Sequence, residues 1–167
     1  TSEVQIKALS NACRKKQLVL WMDNDPPNAN SGRRPGHGYI RKICNALNSH
    51  DIKIIQYPDN CDPDEYLQQF NGNRSQEIKR LVDSAVDYVT WEIARAGTKP
   101  DLEKKLRHLK AHKIFNRIAL MPQTQQQIYA EKLQSIGFSK EAVKEQLEER
   151  FDMRRKLELY FETLQDR

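Results

Sequence analysis

Cysteine is scarce in this chain, and long apolar runs and repeats are missing altogether. Its three cysteines, Cys13, Cys44 and Cys61, are odd in number and share no ligand-like spacing. That argues against both a disulfide framework and a cysteine zinc site, and leaves buried reduced thiols. No apolar stretch approaches the ~20 residues that cross a bilayer, and the N-terminus is not signal-like, so no membrane contact and a cytoplasmic location are expected. No internal repeat or low-complexity segment occurs. Strand signals are also few, only two, where a stable sheet needs three or more, so the chain reads as a piece of a longer polypeptide. What remains is 38% hydrophobic and 31% charged with a net charge of +5. This describes a rather helical protein with modest cores that permits nucleic-acid contact without demanding it.

The two strand signals carry the chemistry. The run Leu18 to Met22 ends in Asp23-Asn24-Asp25, and Ile52 to Tyr57 leads through Pro58 into Asp62-Pro63-Asp64-Glu65-Tyr66-Leu67. Each run reads as a short buried strand that delivers a carboxylate pair to its carboxyl end, where open α/β sheets place their sites. Residues two apart share a face as a strand runs out, so Asp23 and Asp25 can point at one cation. Clustered carboxylates repel one another unless a cation joins them, and hard oxygen ligands suit Mg²⁺ or Mn²⁺. A plain turn also accounts for Asp23 and Asp25. For Asp62 the competing reading is stronger: with Pro63 at the first helical position and Glu65 at the third, it composes a capping box.

Between the runs, Tyr39, Ile40, Ile43, Cys44 and Leu47 mark one face of a crossover helix, giving a βαβ unit with parallel strands. The Asn, Pro and Gly density from Asn24 to Gly38 reads as loop. Its basic members Arg33, Arg34 and His37 suit nucleic-acid or nucleotide phosphate, or simply a solvated surface. Beyond Ser75 the pattern is helical. Ser75 to Gly97 keeps one apolar face, and Pro100 opens a helix that carries Leu102, Leu106 and Leu109, then Ile114, Ile118 and Met121. A further helix runs from about Gln125 to Ile136 and stops at Gly137-Phe138. Ser139 caps a last helix to Gln165 whose sparse apolar marks, Leu157 and Phe161 among them, predict a half-exposed stalk. Trp21 and Trp91 read as core residues. His108 and His112 stand four apart, as metal pairs do, but no third ligand is in view and zinc is not expected there. The fold class is therefore α/β with parallel strands over residues 1–74, followed by an all-α helical subdomain over 75–167, mostly helical overall.

Several of these stretches resemble the second half of a TOPRIM domain, and more narrowly that of DnaG-type bacterial or phage DNA primases. TSEVQIKAL, from Thr1, is similar to the threonine-led helix start before that domain's second signature strand. LVLWMDNDPP resembles the strand ending in an Asp-x-Asp pair, and IKIIQYPDNCDPDEYL the later strand and helix start. Ser84 to Gly97 and QQQIYAEKLQSIGFSKEAV, from Gln125, look like the helical subdomain that follows TOPRIM. Two departures stand out. The family's catalytic glutamate motif is expected upstream of Thr1, and Asn24 stands where the family usually has Gly, with Pro26 to Ser31 inserted after the second Asp.

The resemblance implies a metal-dependent nucleotidyltransferase that makes RNA primers on a single-stranded DNA template from nucleoside triphosphates. Asp23 and Asp25 would be catalytic metal ligands, Asp62 and Asp64 would complete the cluster, and a replicative helicase would be met through regions beyond this chain. It also implies that the chain alone makes no primers. Two rival readings stay open: a TOPRIM nuclease or topoisomerase using the same carboxylates, although no Tyr here has a nucleophile's neighbourhood, and a non-catalytic helical adaptor that docks a replicative helicase.

Overall fold

Leu18, Val19 and Leu20 pair in parallel with Ile52, Lys53 and Ile54, so the two apolar runs become neighbouring strands, β1 (Leu18–Leu20) and β2 (Ile52–Ile54). The structure is a computed structural model that describes residues 3–13, 17–24, 26–30, 34–47, 52–58, 60–70, 72–150 and 152. It divides into two compact units, Thr1–Tyr88 and Val89–Arg167. The described residues are mostly helical with a small three-stranded mixed sheet. Among them no helix is long and apolar enough to cross a membrane.

In the first unit, α1 (Glu3–Cys13) packs on α2 (Pro35–Leu47), the helix that links β1 to β2. Ile40, Ile43 and Cys44 of α2 are buried, as their spacing predicts. The helix begins earlier than expected, because Pro35 supplies a pre-set first helical position and the residues up to Gly38 continue it. A short α3 (Pro63–Gln68) follows β2 and packs on α4 (Arg74–Asp83).

The chain then departs from the single helix expected over 75–97. The amide of Ser84 closes the last turn on Arg80, and its hydroxyl donates to the Leu81 carbonyl at 3.1 Å, so α4 stops there. Val86 and Asp87 form β3 (Val86–Asp87), antiparallel to β2 with Ile54 opposite Val86 and Lys53 opposite Asp87. A two-stranded ribbon is marginal in water, and this third strand pairs the other edge of β2. α4, which packs on α3, and β3, which pairs with β2, thus lie within the compact unit that ends at Tyr88.

Ile55, Tyr66 and Leu81 form the apolar cluster beside the sheet, with Val19, Trp21, Tyr57, Leu67 and Phe70 packed against it. Trp21, Tyr57, Tyr66 and Phe70 form a chain of ring contacts, 6.0, 5.8 and 5.2 Å between successive centroids. The hydroxyl of Tyr66 donates to Glu77 Oε1 at 2.7 Å, and Arg80 Nε donates to Glu77 Oε2 at 2.8 Å, so the buried Glu77 carboxylate is satisfied from both sides. The Arg80 guanidinium, aided by the Tyr66 hydroxyl, holds the Glu77 carboxyl down to about 2.

The second unit holds most of α5 (Tyr88–Gly97), then α6 (Leu102–Ala111), α7 (Ile114–Ala119), α8 (Gln123–Ser135) and a further helix over residues 140–150, called α9 here. The helix expected from Pro100 through Met121 is broken into α6 and α7 at Lys113, whose φ of 56° is left-handed. Asp101, not Pro100, caps α6, accepting from the Lys104 amide at 2.7 Å. The end of α8 follows its glycine: Gly137, at φ 106°, donates to Gln134 and Phe138 donates to Leu133, a Schellman closure that buries Phe138. Ser139 then caps α9, its hydroxyl accepting from the Ala142 amide at 3.1 Å. Val143 of α9 is buried while Ile128 of α8 is exposed. The stalk expected around Leu157 and Phe161 lies outside the described residues. Leu109, Ile114, Phe115, Ile118 and Leu133 are fully or almost fully buried and form the apolar interior of this unit.

Candidate functional site

Asn24, read from the sequence as a turn residue, is buried and ties the acidic loop after β1 to the loop after β2. Its side-chain amide donates to the carbonyls of Tyr57 and Pro58 at 3.3 and 3.2 Å, and its backbone N–H donates to Cys61 at 3.3 Å. The Asn60 amide donates back to the Asn24 carbonyl at 2.8 Å. Arg34, just before α2, donates from Nη1 to the same carbonyl at 3.0 Å and to Asn60 Oδ1 at 3.2 Å, while His37 Nε2, from α2, lies 3.2 Å from Asn24 Oδ1. Parallel strands in register send both chains out at one edge, and Asn24 locks the two exits together there.

Below the clamp, Tyr57 donates its hydroxyl to the Met22 carbonyl at 2.7 Å. Burial pushes the Tyr57 hydroxyl up to about 12, and the charges of Asp23, Cys61 and Asp62 add to the rise. Asp23 and Asp62, one from each loop, therefore act on the same phenol. Gly36 sets how close α2 comes: a β-carbon there would fall inside the van der Waals radius of the Asp23 carbonyl oxygen.

Asp23 and Asp64 are exposed and Asp62 is partly so. Asp62 caps α3: its Oδ1 accepts from the Glu65 amide at 2.8 Å, and the Glu65 carboxylate accepts from the Asp62 amide at 3.4 Å, the capping box read from the sequence. Asp25 and Arg33 lie outside the described residues. Among the described residues, Asp23, Asp62 and Asp64 do not converge as a group of three at ligand distance. Arg34 and His37, read from the sequence as loop residues, lie just before and at the start of α2. His37 is a buried residue of α2 turned onto Asn24, and Arg34 grips the loop backbone, so both help to shape the acidic edge.

The second unit holds a grouping that sequence spacing alone did not complete. Glu92 of α5, fully buried, meets His108 and His112 at the end of α6, and one ligand atom from each lies within 4.8 Å of the other two. His108 Nε2 is 2.8 Å from Glu92 Oε2, and the two imidazole centroids are 4.7 Å apart at 70°. One signal for Glu92 was present in the sequence: it falls on the same helical stripe as Val89, Ile93 and Ala96, all buried. A carboxylate on an apolar stripe requires a partner.

Comparison with protein-family models and with curated proteins finds no match to this chain.

Proposed function

We propose that this chain is part of the catalytic core of a DnaG-type DNA primase, a metal-dependent nucleotidyltransferase that makes RNA primers on single-stranded DNA from nucleoside triphosphates. The observation that supports this reading is the Asn24 clamp, which joins two acidic loops at one edge of a parallel strand pair. Asp23 and Asp62, with Asp64 and Asp25, are the residues that would hold Mg²⁺ or Mn²⁺. Such an ion supplies Lewis-acid charge to a triphosphate and lowers the pKa of the attacking hydroxyl. The chain's own part is positional. Asn24 and Arg34 fix the separation of the loops, Tyr57 anchors the Met22 carbonyl next to Asp23, and the capping box holds the Asp62 backbone so that α3 begins at the edge.

The test is template-directed incorporation of labelled nucleotides into RNA by the full-length natural protein, with Asp23→Asn as the variant. Loss of a ligand charge with little change of shape should reduce incorporation about 100-fold or more and weaken Mn²⁺ binding, while the thermal midpoint stays near that of the parent. Undiminished primer synthesis by Asp23→Asn removes the acidic edge from the chemistry.

A further inference from the structure

We propose that Glu92, His108 and His112 form a binding site for a divalent transition metal of the zinc class, held between α5 and α6. The donor set is two imidazoles and one carboxylate, and borderline nitrogen donors favour Zn²⁺ and its neighbours, whereas Mg²⁺ and Ca²⁺ prefer oxygen throughout. A tetrahedral ion with bonds of about 2.0–2.1 Å holds its ligands roughly 3.3 Å apart. The three ligand atoms already lie within 4.8 Å of one another, and the closest pair, His108 Nε2 and Glu92 Oε2, need only part from 2.8 Å to admit the ion.

The electrostatics favour a cation at this point. Glu92 is fully buried, and a buried carboxylate is stable only against positive charge or strong donors. His108 and His112 stand at the last turn and cap of α6, the negative end of that helix's dipole. The backbone bond from His112 N to His108 O, 3.2 Å, fixes the two rings on one side of the helix. The His108 side chain is 12% exposed and His112 is partly exposed, so the ion has a way in and a fourth position for water. This site lies wholly in the unit Val89–Arg167 and is independent of the primase reading. The competing occupant is a proton, which would make His108 an imidazolium paired with Glu92 and leave no metal function.

The experiment uses the complete chain, stripped of metal and titrated with Zn²⁺ against a chromophoric chelator, and with Co²⁺ followed by its visible absorption. One Zn²⁺ per chain is expected, with intense four-coordinate Co²⁺ bands, and a tenfold excess of Mg²⁺ should displace neither. Glu92→Gln keeps the shape and should weaken Zn²⁺ by about tenfold or more. If the loss of buried charge unfolds that variant, His112→Ala, at a partly exposed position, decides the matter with the same expected loss. Absence of Zn²⁺ binding by the parent, or parent-like affinity in His112→Ala, overturns the site and leaves the ion pair alone.

Discussion

In the first unit Asp23 and Asp64 stand in solvent, and the buried polar groups beneath them, Asn24 and His37, are bonded to backbone and to each other. In the second unit the corresponding charge, Glu92, is fully buried and its partners come from another helix. A strand edge a few residues long has little apolar area with which to hold a loop, so hydrogen bonds to carbonyls do the positioning. A helical interior has ample apolar area and can hold a carboxylate rigidly, provided that a charge or a metal answers it. As proposed, the first arrangement would serve an exchangeable hydrated ion. The second suits one that stays.

The contrast is sharpest in what each unit loses by truncation. Phe115→Ala, in the apolar interior of the second unit, should destabilise that unit by about 4 kcal/mol through lost burial and a residual cavity. Asn24→Ala in the first should cost about 2–3 kcal/mol, because the Tyr57 and Pro58 carbonyls and His37 lose their partner while little apolar contact is lost. Chemical denaturation of each variant, followed by site-resolved hydrogen exchange, measures both. An Asn24→Ala protein of parental stability would break the picture of a clamp that carries energy.

How much of this could be read from the sequence follows from the range of each interaction. The apolar face of α2, the Asp62 capping box and the Gly137 closure rest on neighbours within about five positions, and spacing displays them. β3 did not show itself, because two residues make a strand only when a partner edge is waiting for them, and Ile54 lies far away in the chain. Asn24 looked like a turn former, since its real partners at Tyr57, Pro58 and His37 are set by the strand pairing. Glu92 and the histidines of α6 meet across two helices, and only the break at Gly97 and the cap at Asp101 bring α6 back toward α5. Asp25 and Arg33 lie outside the described residues.

Smaller effects sharpen the same contrast. Asp62→Ala removes a cap and should cost ~1 kcal/mol, whereas Asp64→Ala, exposed in the first turn, should change stability by less than half of that. Thermal melts in the opposite order would show that Asp64, not Asp62, anchors α3. The last effect is a pH dependence confined to the acid range. Glu77 is held at about 2, below its ordinary 4.5, so the stability it contributes is complete above about 4.5 and is lost as pH falls toward 2. Glu77→Gln should flatten the acid limb of a stability profile of the first unit between those values. An unchanged limb would assign acid unfolding to other carboxylates.

The closeness of α2 to the Asp23 carbonyl also sets the substitution tolerance of the two glycines in its first turn. At position 36 any of the other amino acids brings a β-carbon into backbone that cannot retreat without moving Asp23, whereas at position 38 a β-carbon meets nothing within 4 Å. In a library covering every codon, position 36 should therefore return glycine alone, and position 38 should accept alanine with a gain of roughly 0.5–1 kcal/mol from helix propensity. Two glycines two positions apart are thus under opposite constraints, and the more constrained one has its backbone against the residue that bears the carboxylate.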